Sequence, residues 1–109
     1  MTDEQINKEI AEACGWVYAP EDLRDFPWQD EQGEVYTSYP NYCNDLNAMH
    51  EAEKILNSAQ RIIYADQICI IWTGRDDRPV PMWFWITEAT ARQRAEAFLR
   101  TLGKWEEKA

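Results

Sequence analysis

The sequence predicts a small α/β (α+β) domain, a short antiparallel sheet covered by helices on both faces, in a sandwich-like order. Three observations predict it. Helical apolar periodicity recurs near the start, the middle and the end of the chain, each time behind a capping residue. Two short apolar runs, 68–73 and 80–87, flank a charged turn that contains Gly74 and Pro79. Both sides of those runs are apolar, the pattern of strands covered on each face. With 109 residues the chain makes one domain, 1–109.

Residues 3–14 read as the first helix. Thr2 followed by Gln5 forms a capping-box pattern, with Asp3 the alternative cap. Ile6, Ile10, Ala13 and Cys14 share a stripe, Lys8, Glu9 and Glu12 face away, and Gly15 suits the turn that ends the helix. Residues 16–45 form an irregular segment, acidic and aromatic, broken by Pro20, Pro27 and Pro40. Within it, 16–18 and 35–37 have the β-branched and aromatic content of short strands. An irregular stretch this long is often functional, so it is the first place to seek a binding surface.

A second helix is predicted over 46–60, capped by Asn44 or Asp45, with Leu46, Met49, Ala52, Ile55, Leu56 and Ala59 as its apolar face. Asn57-Ser58 is a point where it could divide, leaving a helical turn from Gln60 to Tyr64. Then come the hairpin strands, 68–73 and 80–87, with Pro81 implying that the second lies at an edge or starts late. The last helix, 88–102, takes Thr87 as its cap and Ala91, Ala95, Phe98, Leu99 and Leu102 as its stripe. Glu88 to Arg92 and Glu96 to Arg100 are i,i+4 pairs on it, Gly103 closes it, and Trp105 covers the end of the core.

The formal charge is −9, and residues 1–38 carry ten acidic side chains against Lys8 and Arg24 alone. Such a field repels a nucleic-acid backbone, arguing against direct nucleic-acid binding, and favours solubility or a basic partner. The start MTDEQINKEI lacks the basic and apolar regions of a signal peptide, and no apolar run approaches a membrane span. Three widely spaced cysteines do not make a disulfide framework. A soluble, cytoplasmic protein is the expectation.

PNYCNDLNAMHEAE (40–53), ATARQRAEAFLRTLGKWEE (89–107) and IAEACGW (10–16), about a third of the chain, closely resemble the phage ABA-sandwich domain family. The resemblance implies a sheet between helical layers and a short accessory protein of a phage or prophage. It implies no established enzymatic role, and it transfers no functional residue to this chain.

Residue chemistry points to no catalytic, cofactor or metal site. His50 is the sole histidine, at the edge of a helical stripe, and nothing marks it as a base. Cys14, Cys43, Cys69 and His50 could formally complete a zinc set, but no pair has the short spacing of such sites. P-loop, dinucleotide-turn and calcium-loop patterns are absent from the sequence. The aromatic residues Trp16, Tyr18, Trp28, Tyr36, Tyr39 and Tyr42, with Asp22, Arg24, Asp25, Glu31, Asp45 and His50, form the candidate partner or ligand surface.

Two functions follow as expectations. One is a non-catalytic accessory protein that binds a host protein, modulating or inhibiting host machinery or defence. The other is a module for a small nucleotide or metabolite, provided Arg24, Arg92 or Arg94 reaches the aromatic pocket. The two-sided strands add the expectation of a homodimer or larger homo-oligomer with the pocket near its seam.

Overall fold

A computed structural model describes residues 1–23, 25–74 and 88–106, without the side chains of Asp22 and Leu23. The elements are α1 (Asp3–Ala13), β1 (Val17–Tyr18), α2 (Pro20–Leu23), β2 (Trp28–Gln29), β3 (Val35–Tyr36), α3 (Leu46–Glu53), α4 (Ser58–Thr73) and α5 (Ala91–Thr101). The mixed helical and antiparallel class is as the sequence predicts.

Helix α5 organises the core. Ala97, Phe98 and Leu99 are consecutive and all buried, so this helix is enclosed on most of its sides. It packs against α1, α3 and α4. Ile6, Ile10 and Ala11 come from α1, Met49 and Ala52 from α3, and Tyr64, Ile68 and Cys69 from α4. Ala91 and Ala95 keep the stripe shallow enough for neighbouring helices to approach closely. Burying a side chain such as Phe98 contributes about 1.5–3 kcal/mol over leaving it in water.

Each principal helix starts on a side-chain cap. Thr2 with Gln5, Asn57 with Gln60 and Thr90 with Gln93 form reciprocal capping boxes on α1, α4 and α5. The Asp45 carboxylate accepts from the N–H groups of Asn47 and Ala48 to start α3. Asn7 is buried on α1 and holds the 41–44 turn in place. Its Oδ1 accepts from the Cys43 N–H at 2.9 Å, and its Nδ2 donates to Asn41 Oδ1 at 3.0 Å.

The sheet is a three-stranded antiparallel meander, β1-β2-β3, and it lies inside the segment read as irregular. Tyr18 pairs with Trp28, and Trp28 with Tyr36. Asp30 builds the β2–β3 turn, its Oδ1 accepting from the N–H groups of Gln32 and Glu34, both at 2.9 Å. Gly33 takes φ 91° there.

Several elements differ from expectation. Residues 68–73 are not a strand but the last turns of α4. Tyr64, Ala65, Ile68 and Cys69 are buried together, which is the spacing of one helix face. Gly74, with φ 71°, is the left-handed cap of that helix rather than the opening of a hairpin, and its N–H donates to the Ile70 carbonyl at 2.7 Å. The proposed partner strand 80–87, with Pro81, lies outside the described residues. Among the described residues the sheet lies at 17–36, where Val17, Tyr18, Val35 and Tyr36 are exposed.

The 46–60 helix is two helices, divided where Asn57 caps α4. Leu46, Ile55 and Ala59 consequently leave the apolar face, whereas Met49, Ala52 and Leu56 stay buried. The last helix begins at Ala91 behind Thr90, not at Glu88 behind Thr87. Arg92 pairs with Asp3 at 3.1 Å and with Glu96 at 3.6 Å, while the Glu96–Arg100 pair forms at 3.0 Å. Trp105 packs on the core, with the guanidinium groups of Arg92 and Arg100 over its ring at 5.5 and 5.1 Å.

Candidate functional site

Two concavities hold the residues with chemical potential. The first is a cleft of about 320 Å³ where the end of α1 meets the β2–β3 turn and α3. Trp16, Tyr36 and Tyr42 line it, together with Cys14 and the acidic side chains Asp30, Glu31 and Glu51. Gly15 permits this junction: a Cβ there would stand 3.3 Å from Glu31 Cβ.

The aromatic side chains of the segment form two rows. Trp16 and Tyr36 have centroids 4.9 Å apart. Tyr18, Trp28 and Tyr39 follow in a second chain, each step 4.9 Å, with Tyr39 edge-on to the buried Trp28. The Tyr39 hydroxyl donates to the Glu4 carbonyl at 3.4 Å, which ties this row to α1.

The cleft's hydroxyl and thiol groups stay protonated. A hydrogen bond from the Tyr36 hydroxyl to Asp30 Oδ2, 3.1 Å long, is the chief cause of that phenol's raised pKa. Burial, then the nearby Glu31, pushes the Cys14 thiol up to about 11, and burial, then Cys14 and Glu31, pushes the Tyr42 phenol well above its ordinary value. The charge of the cleft is therefore carboxylate charge. Glu51 is held by Lys54 at 2.9 Å and Asp30 is engaged by the turn, whereas Glu31 is exposed. Aromatic rings beside carboxylates attract a cation from both sources of negative potential.

The second concavity is a groove of about 540 Å³ between α3, α4 and α5, lined by Leu46, His50, Glu53, Leu56, Arg61, Tyr64, Ile68 and Arg94. Arg94 Nη1 donates to Glu53 Oε2 at 3.3 Å, and the Tyr64 hydroxyl donates to that same oxygen. The Arg94 side chain is only 8% exposed, and its Nε donates to the Ala89 carbonyl at 3.3 Å. Burial, then Glu53, raises the Tyr64 pKa, which keeps the phenol a donor.

The sequence-chosen residues thus part company. Trp16, Glu31, Tyr36 and Tyr42 converge on the cleft, with Tyr18, Trp28 and Tyr39 in the adjoining row. Asp45 is spent on its helix cap, and the exposed His50 belongs to the other groove. Asp25 is exposed, Asp22 lies on α2, and Arg24 is outside the described residues.

Nor do Arg92 and Arg94 reach the aromatic cleft. Arg92 packs on Trp105, and Arg94 lines the groove. Glu53, Arg61, Tyr64 and Ile68 were absent from the sequence-chosen set. A readable signal existed for Arg94, because it stands between Ala91 and Phe98 on the apolar stripe of α5.

Among the described residues no three His, Cys, Asp or Glu side chains gather as a metal set, and no helix is long and apolar enough to cross a membrane. No family model, curated protein or solved structure matches this chain.

Proposed function

We propose that this chain is a non-catalytic binding module whose acidic, aromatic cleft takes a basic segment of a partner protein. In the setting implied by the resemblance, it is a phage or prophage accessory protein and the partner is a host protein whose action it modulates or inhibits. The observation that carries this reading is the cleft, where Trp16, Tyr36 and Tyr42 meet Asp30 and Glu31. Large rings desolvate a contact, the carboxylates select a cationic side chain, and the acidic N-terminal third steers the encounter.

A photo-cross-linking residue at Gln32, which lines the cleft, tests this in the host cell against the same residue at the exposed Ile62 of α4. The expected result is one protein linked from position 32 and not from 62. Reversing Asp22, Asp25 and Glu31 to Lys abolishes that product while circular dichroism is unchanged. An undiminished product in the reversed variant, or equal labelling from both positions, overturns the reading.

A further inference from the structure

We propose that the groove between α3, α4 and α5 is a second binding site, for a small amphipathic anion: an apolar body against Leu46, Leu56 and Ile68, and one carboxylate held by Arg61. The proposal is independent of the aromatic cleft. The groove's volume, about 540 Å³, falls within the range of about 300–1,000 Å³ usual for small-molecule sites. Its walls are largely apolar, and Leu46 stays 45% exposed although it borders them, a contact that a ligand would complete.

The electrostatics select the head group. In a chain of net charge −9, this groove gathers Arg61 and Arg94 against a single carboxylate, Glu53. Arg94 and Tyr64 already occupy Glu53, so its charge is answered from within. Arg61 is different. Its Nε donates to the Leu56 carbonyl at 3.0 Å, which fixes the stem, and its side chain is exposed at the groove. No carboxylate among the described residues pairs with it. A planar guanidinium so anchored presents its terminal N–H groups in the fork that matches a carboxylate.

A cationic ligand is opposed by the same arginine. A nucleobase finds little stacking surface, because Tyr64 is buried and edge-on to Phe98 at 6.5 Å and the other ring among the lining residues is the small imidazole of His50.

The test is titration of the full chain with decanoate below its micelle-forming concentration, beside decanol and decylammonium, followed by calorimetry and methyl NMR. Decanoate is expected to bind one per chain and to shift the Leu56 and Ile68 methyl signals. Decanol and decylammonium bind about tenfold more weakly or not at all, a difference of about 1.4 kcal/mol. Arg61→Glu, at an exposed position, retains its circular dichroism and loses about tenfold in decanoate affinity while decanol is unaffected. Leu46→Glu, also exposed, weakens both. Absence of saturable decanoate binding, equal affinity for decylammonium, undiminished affinity in Arg61→Glu, or a native mass showing that a second copy closes the groove would each overturn the proposal.

Discussion

Arg94 and Glu53 form an ion pair across the core, 3.3 Å between Nη1 and Oε2, which joins α5 to α3. The two charges are unequally buried, with the arginine side chain 8% exposed and the glutamate 20%. Tyr64 adds a third element by donating from α4 to the same carboxylate oxygen. One oxygen atom therefore registers three helices at the floor of the groove.

Removing one member of such a pair leaves the other charge buried without an answer. Glu53→Ala is expected to cost about 3 kcal/mol, whereas replacing both members by apolar residues, Glu53→Leu with Arg94→Met, stays within about 1 kcal/mol of the parent or exceeds it. Tyr64→Phe costs only about 1 kcal/mol, because Arg94 still satisfies the carboxylate. Urea unfolding of the single and double variants checks this. A loss in the double variant equal to the sum of the single losses would show that the residues do not act as a pair.

Gly15 and Gly103 both have positive φ, 95° and 72°, but their surroundings differ. Ala at position 15 would place its Cβ 3.3 Å from Glu31 Cβ, an atom that side-chain rotation does not move, so Glu31 must shift as a whole by a few tenths of an ångström, while Gly103 has open space. Gly103→Ala is expected to cost about 1–2 kcal/mol from conformation alone, and Gly15→Ala about 1 kcal/mol more from the contact. Thermal unfolding of both variants measures the difference. Gly15→Ala also moves Glu31 away from the cleft, so it weakens capture of a basic partner, which Gly103→Ala does not.

What the sequence disclosed followed local chemistry, and what it concealed depended on tertiary packing. Thr2 and Gln5 announce α1, and 16–18 and 35–37 announce two strands, because caps and β-branched aromatic runs act over a few residues. QICIIWT, 67–73, misleads because a run apolar on both sides fits a buried strand or a buried helix equally well. The deciding signal lay upstream. Asn57 and Gln60 form a capping box, and a sixteen-residue helix carries through to Gly74. The cleft was half legible, since its aromatic residues cluster in sequence. The groove was not, because Glu53, Tyr64 and Arg94 come from three helices and meet only through packing.

Asn7 shows the same limit from the core side. It faces inward on α1 among isoleucines, where the helical pattern calls for an apolar residue, and the reason lies 36 residues away at the Cys43 N–H. Asn7→Ala leaves that donor without its acceptor and is expected to cost about 1–3 kcal/mol, with faster hydrogen exchange at Cys43. Asn7→Asp keeps the acceptor but sets a carboxylate against Asn41 Oδ1, and it falls between the two. Unaltered exchange at Cys43 in Asn7→Ala would show that another group satisfies this amide.

The two thiols at either side of α1 predict a particular alkaline behaviour. Burial, then Glu31, raises Cys14 from 9.0 to about 11, and burial, then Asp3, raises Cys43 to about 11 against an opposing effect of Arg92. An unfolded chain releases these protons near pH 9 while the native chain keeps them, so the native state binds more protons above that point. The stability associated with the neutral thiols is intact below about pH 9 and declines as pH rises toward about 11. Tyr42 and Tyr64, raised from 10.0, extend the decline to higher pH, so the interval just above pH 9 isolates the cysteines. A Cys14→Ser, Cys43→Ser variant is expected to flatten that interval in urea titrations while leaving the tyrosine slope. At pH 8 the shift also lowers the thiolate fraction of Cys14 about a hundredfold, so alkylation of the folded protein is slow and unfolding in urea accelerates it. Rapid alkylation of Cys14 in the folded chain would mean that the Trp16–Tyr36 wall of the cleft opens freely, and a partner would then have to order it on binding.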